Sequence, residues 1–145
     1  MPHTAYASRT IAAAPAVIWS LLADFNGLPA IHPAISHSEL ENGASHTEPG
    51  VVRRLTVPDG IVREKLLKLD TDAFELHYAI VEGPMPVKDY VAVIKLTPQG
   101  SNQTLAEWWA DFTVTGDADP DAVARGVSED VFATCLLHVE RALAV

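Results

Sequence analysis

Between Asp119 and the C-terminus, Val123, Val127, Val131, Cys135 and Val139 recur every four residues, and Ala124, Phe132 and Leu136 widen the stripe they form. This spacing predicts one long helix with a broad apolar face. Asp119 can cap it, Pro120 suits its first position, and Asp121 places negative charge near the positive helix end. Arg125, Glu129, Glu140 and Arg141 lie mostly on the edges of the stripe or opposite it. A helix this apolar on one side needs a large apolar surface to lie on.

The preceding residues supply a sheet. Residues 4–12 alternate as a first strand, and Pro15 then opens a short helix carrying Val17, Ile18, Leu21, Leu22 and Phe25. Asn26-Gly27 ends it, and residues 28–33 read as a second short helical turn. Strands are predicted over 36–41, 51–57, 61–69, 74–82, 88–97 and 104–115. Pro58-Asp59-Gly60, Asp70-Thr71-Asp72 and Pro98-Gln99-Gly100 mark short turns, which imply antiparallel neighbours. The fold class is therefore α+β: a curved antiparallel sheet of about seven strands around a long C-terminal helix, with two short helices after strand 1. Residues 1–145 form a single domain of this helix-grip kind, with a ligand-sized cavity between sheet and helix.

Charge and composition narrow the partners. The net charge is −9 and the ten Lys and Arg are scattered, which argues against nucleic acid and anionic membranes. No apolar run approaches the ~18 residues of a membrane span. The N-terminal residues, Met1 and Pro2 onward, carry neither a basic start nor an apolar stretch, so no secretory signal is expected. A single cysteine, Cys135, excludes an internal disulfide and suits a cytoplasmic location.

Strand parity gives the cavity its interior, because side chains at i and i+2 share a face. Over 61–69, Arg63 and Lys65 mark the solvent set with Ile61, Leu67 and Leu69. Val62, Glu64, Leu66 and Lys68 then point inward, Lys68 near enough to a strand end to reach water. The same reasoning turns Arg53, Leu55, Tyr78, Ile80, Tyr90 and Trp108 inward, and Trp109 and His77 outward. A carboxylate on an apolar face costs several kcal/mol unless paired, and Arg53 on the preceding strand is its expected partner. Two phenols and an indole add hydrogen-bonding tips. Ala92, Ala106 and Ala110 leave room beneath the helix, whose Val127 and Val131 face the same space. The bland alternative is a structural ion pair with aromatic filling, and parity alone does not separate the two.

The stretches Glu64-Lys65-Leu66-Leu67, Leu76-His77-Tyr78-Ala79-Ile80-Val81-Glu82-Gly83, Lys88-Asp89-Tyr90-Val91-Ala92 and Glu107-Trp108 resemble the polyketide cyclase/dehydrase-like branch of the START-like (SRPBCC) superfamily. So do Gly50-Val51-Val52-Arg53 and residues 17–25. More narrowly, the chain is similar to plant lachrymatory factor synthase-like proteins. The resemblance covers most of the chain and implies a helix-grip fold. It also implies an acid/base glutamate at Glu64, an orienting arginine at Arg53, and cavity tyrosines at Tyr78 and Tyr90. The chain departs from the plant pattern in its tight hairpin between Arg53 and Glu64, and in Ile31-His32 where those proteins carry bulkier aromatics.

Other motifs carry little chemistry. The histidines show no metal-ligand spacing, and no phosphate loop or Ser-His-Asp set is visible, so no metal and no cofactor are expected. Cys135 lies on the buried helix stripe as a packing residue. His32 is a candidate for the cavity mouth. Three readings stay open. Glu64 and Arg53 act as catalytic groups on a small, largely apolar molecule in a cyclase, dehydratase or isomerase-like reaction. Alternatively, the chain is a carrier or sensor in which these residues, with Tyr78, Tyr90, Trp108, His32, Val127 and Val131, only fix orientation. The third is an interaction domain using Trp109 and the Pro84-Met85-Pro86 loop. A monomer or weak homodimer is expected.

Overall fold

Seven antiparallel strands make one sheet in the order β1-β7-β6-β5-β4-β3-β2. They are β1 (Ala5–Ile11), β2 (His37–Leu40), β3 (Val52–Val57), β4 (Gly60–Asp70), β5 (Glu75–Glu82), β6 (Val87–Pro98) and β7 (Thr104–Val114). The computed structural model describes residues 3–44 and 47–144; Met1 and Pro2, where the signal-free start was read, lie outside them. From β2 to β7 the chain is a meander, as its short turns require. β1 pairs instead with β7, Ala7 opposite Trp108, so the chain must cross from one sheet edge to the other before β2. The helix α1 (Pro15–Leu22) and a 3₁₀ turn at Leu28–Ala30 make that crossing, burying Ile18, Trp19, Leu22 and Leu28.

The C-terminal helix runs on from α2 (Pro120–Gly126) to α3 (Thr134–Leu143), but Val127–Ala133 between them is π-helical. A regular four-residue spacing of valines predicts an unbroken α-helix, and the structure differs at its middle. Side-chain hydroxyls support the wider turns. Thr134 Oγ1 donates to the Glu129 carbonyl five residues back at 3.0 Å. Ser128 Oγ donates to the Ala124 carbonyl at 2.8 Å and accepts the Tyr6 N–H of β1 at 3.0 Å, pinning the start of the segment to the sheet edge. The Asp119 side chain accepts the Asp121 N–H at 3.2 Å, the expected cap.

The inner sheet face and the helix enclose the core. Leu66, Leu76, Tyr78, Ala92, Ile94, Leu96, Ala106, Trp108 and Ala110 are buried there against Phe132, Cys135, Leu136 and Val139. Between β4 and β5 the register shifts at two bulges. Leu66 pairs with Tyr78 but Lys68 pairs with His77, leaving Leu67 as the extra residue. Lys68 therefore turns outward and Leu69, assigned above to solvent, packs against the core. On β5 Val81 is the extra residue, so Glu82 faces Arg63 on the outer side, with Arg63 Nη1 donating to it at 3.1 Å.

On that outer face Arg63 also grips Glu41 through Nε (2.6 Å) and Nη2 (2.9 Å), covering the short edge strand β2 with charge. His77 bonds Glu75 there, as outward parity implies. Trp109 is half-buried under the His3 ring, which stacks on it at 5.0 Å between centroids.

Candidate functional site

Arg53 and Glu64 are direct register partners on β3 and β4, which places both side chains on the concave face. Arg53 is 2 % exposed and Glu64 7 %. Arg53 Nε donates to Glu64 Oε1 at 2.9 Å and Nη2 donates to the same oxygen at 2.6 Å. Its remaining nitrogen, Nη1, donates to the Phe25 carbonyl at 2.7 Å. The guanidinium lies 3.9 Å from the Phe25 ring centroid and 5.2 Å from that of Tyr78. Such a held cation needs every nitrogen satisfied, since burial removes its water. Phe25, in the turn that follows α1, supplies the acceptor for Nη1 through its backbone carbonyl.

Both arginine bonds fall on one carboxylate oxygen. Among the described residues Glu64 Oε2 accepts no hydrogen bond, and Glu64 lines a cavity of about 390 Å³. Apolar side chains from every surrounding element make most of the wall: Ile35, Leu55, Val62, Ile80, Met85, Val127 and Val131. The π-helical segment contributes Val127, Asp130 and Val131, and Asp59 of the β3–β4 hairpin also lines the cavity. The volume suits a small organic molecule.

His32 follows the 3₁₀ turn and also lines the cavity, though it is only 5 % exposed. Its Nδ1 accepts the Ala34 N–H at 3.1 Å, so the neutral ring carries its proton on Nε2. That Nε2 is buried without a hydrogen-bond partner. Burial holds the ring's pKa below the ordinary histidine value; the nearby backbone of Val131 and Asp130 pulls the other way without bonding Nε2, and His138 adds to the lowering.

The site residues expected from the sequence separate into two layers. His32, Glu64, Tyr90, Val127 and Val131 line the cavity, whereas Arg53, Tyr78 and Trp108 do not. Trp108 Nε1 donates to the Tyr78 hydroxyl at 3.2 Å, and its ring stacks on Phe132 at 4.8 Å. Ala92, Ala106 and Ala110, expected to leave room for a guest, are fully buried in this same packed region and do not line the cavity. Tyr90 keeps the inward parity of Ala92 and Ile94 and stacks on Phe112 at 5.4 Å, while Asp89, in the left-handed region at φ 54°, is the extra residue before it.

Burial, reinforced by the Glu64 charge, pushes the Tyr78 hydroxyl well above the ordinary tyrosine value; burial is also the main cause for Tyr90. Both are neutral phenols near pH 7, able to donate hydrogen bonds but not to act as bases. Burial raises the Cys135 thiol to about 12, so it is inert packing.

Sequence reasoning missed Asp59, Asp130 and the Pro84-Met85-Pro86 loop as parts of the wall. Asp59 carried only a turn signal, the Pro84-Met85-Pro86 loop was read as a contact surface, and Asp130 sits off the apolar stripe. Asp130 lies in the π-helical segment and lines the wall beside its neighbour Val131.

The family described as polyketide cyclase/dehydrase and lipid transport matches the chain over residues 2–143. No curated protein matches it. Among solved structures, the protein XoxI from Bacillus cereus is 28 % identical with a TM-score of 0.81, covering 97 % of this chain and 96 % of that one. An uncharacterised protein from Bacillus thuringiensis is 27 % identical with a TM-score of 0.82, over 97 % of this chain and 98 % of its own. A START superfamily protein from Mycobacterium smegmatis shares the fold at 16 % identity, with a TM-score of 0.79 over 96 % of this chain and 95 % of that one. No helix among the described residues is long and apolar enough to cross a membrane.

Proposed function

The chain belongs to the polyketide cyclase/dehydrase and lipid transport family, and on that premise we propose that its cavity encloses a small, largely apolar molecule and exchanges a proton with it through Glu64. One observation carries the reading: Glu64 turns an unbonded oxygen to an apolar cavity while Arg53 holds the other oxygen from behind. A carboxylate fixed in this way has one orientation and one free lone-pair face, as acid/base chemistry requires. Arg53 is the positioning residue, because all its donors are used within the protein. Tyr90 and His32 supply further polar contacts from the wall. The reaction class is a cyclisation, dehydration or isomerisation in which Glu64 takes a proton from one atom of the guest and returns it to another. No step of this kind calls on a cofactor.

A carrier or sensor is the second reading. It is favoured by the position of Arg53, Tyr78 and Trp108 outside the cavity lining, which leaves a sparsely polar wall. Native mass spectrometry of the purified protein, followed by identification of the released molecule, tests enclosure. Glu64→Gln then separates the readings. The enzyme variant binds the captured molecule but no longer turns it over, whereas retention with no turnover by either protein supports the carrier. Neither protein retaining a molecule contradicts both.

A further inference from the structure

We infer that the cavity rejects acidic molecules and takes an uncharged guest whose polar end is a hydroxyl. This inference rests on the reading of the cavity as a binding site and names the chemical class of its guest. The ionisable groups that line the cavity are Asp59, Glu64, Asp130, His32 and the neutral phenol of Tyr90; none of the lining residues is a lysine or arginine. The nearest cation, Arg53, is no exception. Nε and Nη2 are spent on Glu64 and Nη1 on the Phe25 carbonyl, so an incoming carboxylate or phosphate finds no donor there. It meets three carboxylates instead, two on exposed residues and one where apolar walls weaken screening.

One group states what the guest must offer: Glu64 Oε2 makes no bond to the protein and needs a donor. A hydroxyl supplies one; a carboxylate is only an acceptor, and it carries the wrong charge for Glu64. Leaving Glu64 unmatched weakens binding. Burial keeps His32 on the neutral side, so it brings no positive charge to offset the three carboxylates.

The test compares 1-octanol with octanoate, which share an eight-carbon skeleton and differ at the polar end, by isothermal titration calorimetry at pH 7.5. Octanol is expected to bind at least about tenfold more tightly. The exposed pair Asp59→Asn/Asp130→Asn is expected to tighten octanoate binding and leave octanol unchanged. Octanoate binding as tightly as octanol overturns the inference while leaving the cavity reading intact. So does an unchanged preference in the double variant. Binding of neither compound removes the cavity reading and the inference together.

Discussion

Arg53 and Glu64 sit opposite each other on neighbouring strands, and both arginine–carboxylate bonds converge on Glu64 Oε1, at 2.9 and 2.6 Å. The pair is asymmetric: one oxygen belongs to the fold and the other to the cavity. On the proposed reading, that asymmetry leaves one oxygen for proton exchange while the other stays bound to Arg53.

Removing one partner strands the other's charge. Arg53→Met is expected to cost about 3–5 kcal/mol in urea denaturation, because Glu64 and the Phe25 carbonyl both lose their donor. Adding Glu64→Leu to Arg53→Met is expected to recover much of that loss, since a buried pair replaced by apolar side chains is near neutral. Simple additivity of the two changes would show that the groups are not energetically coupled.

Val131 lines the cavity from the π-helical segment and is half-buried. Val131→Trp fills that space with side chain. Octanol affinity should fall about tenfold or more, while the urea midpoint shifts little, because added volume enters a void and not the packed core. Unchanged affinity would place the guest elsewhere.

His32 links the site to pH. Its pKa in the folded chain is lowered, chiefly by burial, with His138 contributing in the same direction. Between that value and the unfolded one near ~6.5 the unfolded chain binds more protons, so this contribution to stability is complete above the unfolded value and is lost as pH falls below it. Thermal melts should therefore decline more steeply below about pH 6.5 in the native protein than in His32→Asn, whose amide oxygen can still accept the Ala34 N–H. Parallel declines would assign the proton uptake to other groups.

Most of the sheet was legible because its strands alternate cleanly where it matters. Glu64, Tyr78 and Trp108 share the inner face with Leu66, Leu76 and Ala106, and parity alone places all six. Parity misled beyond Leu66, since an extra residue at Leu67 reverses Lys68 and Leu69 and no local residue type announces a bulge. The π-helical turns were illegible for a related reason. Valines every four residues fit an α-helix on spacing alone, and the widening depends on Ser128 and Thr134 finding partners on Tyr6 and Glu129 in the folded chain. Glu64, Tyr90 and His32 were found, but Asp59 and Asp130 were not, nor which of the inward side chains reach the cavity. Parity assigns a face, and the depth of Trp108 beneath Phe132 is decided by packing between layers.

Enclosure of an apolar guest against Glu64 is the central claim, and methyl NMR during octanol titration tests it most directly. Shifts are expected at Ile35, Leu55, Val62, Ile80, Val127 and Val131, which surround the cavity, and Glu64→Gln should keep that set while altering its magnitude. Shifts confined to the exposed outer-face residues Leu67, Val81 and Val91, or no shifts at saturating octanol, would contradict it.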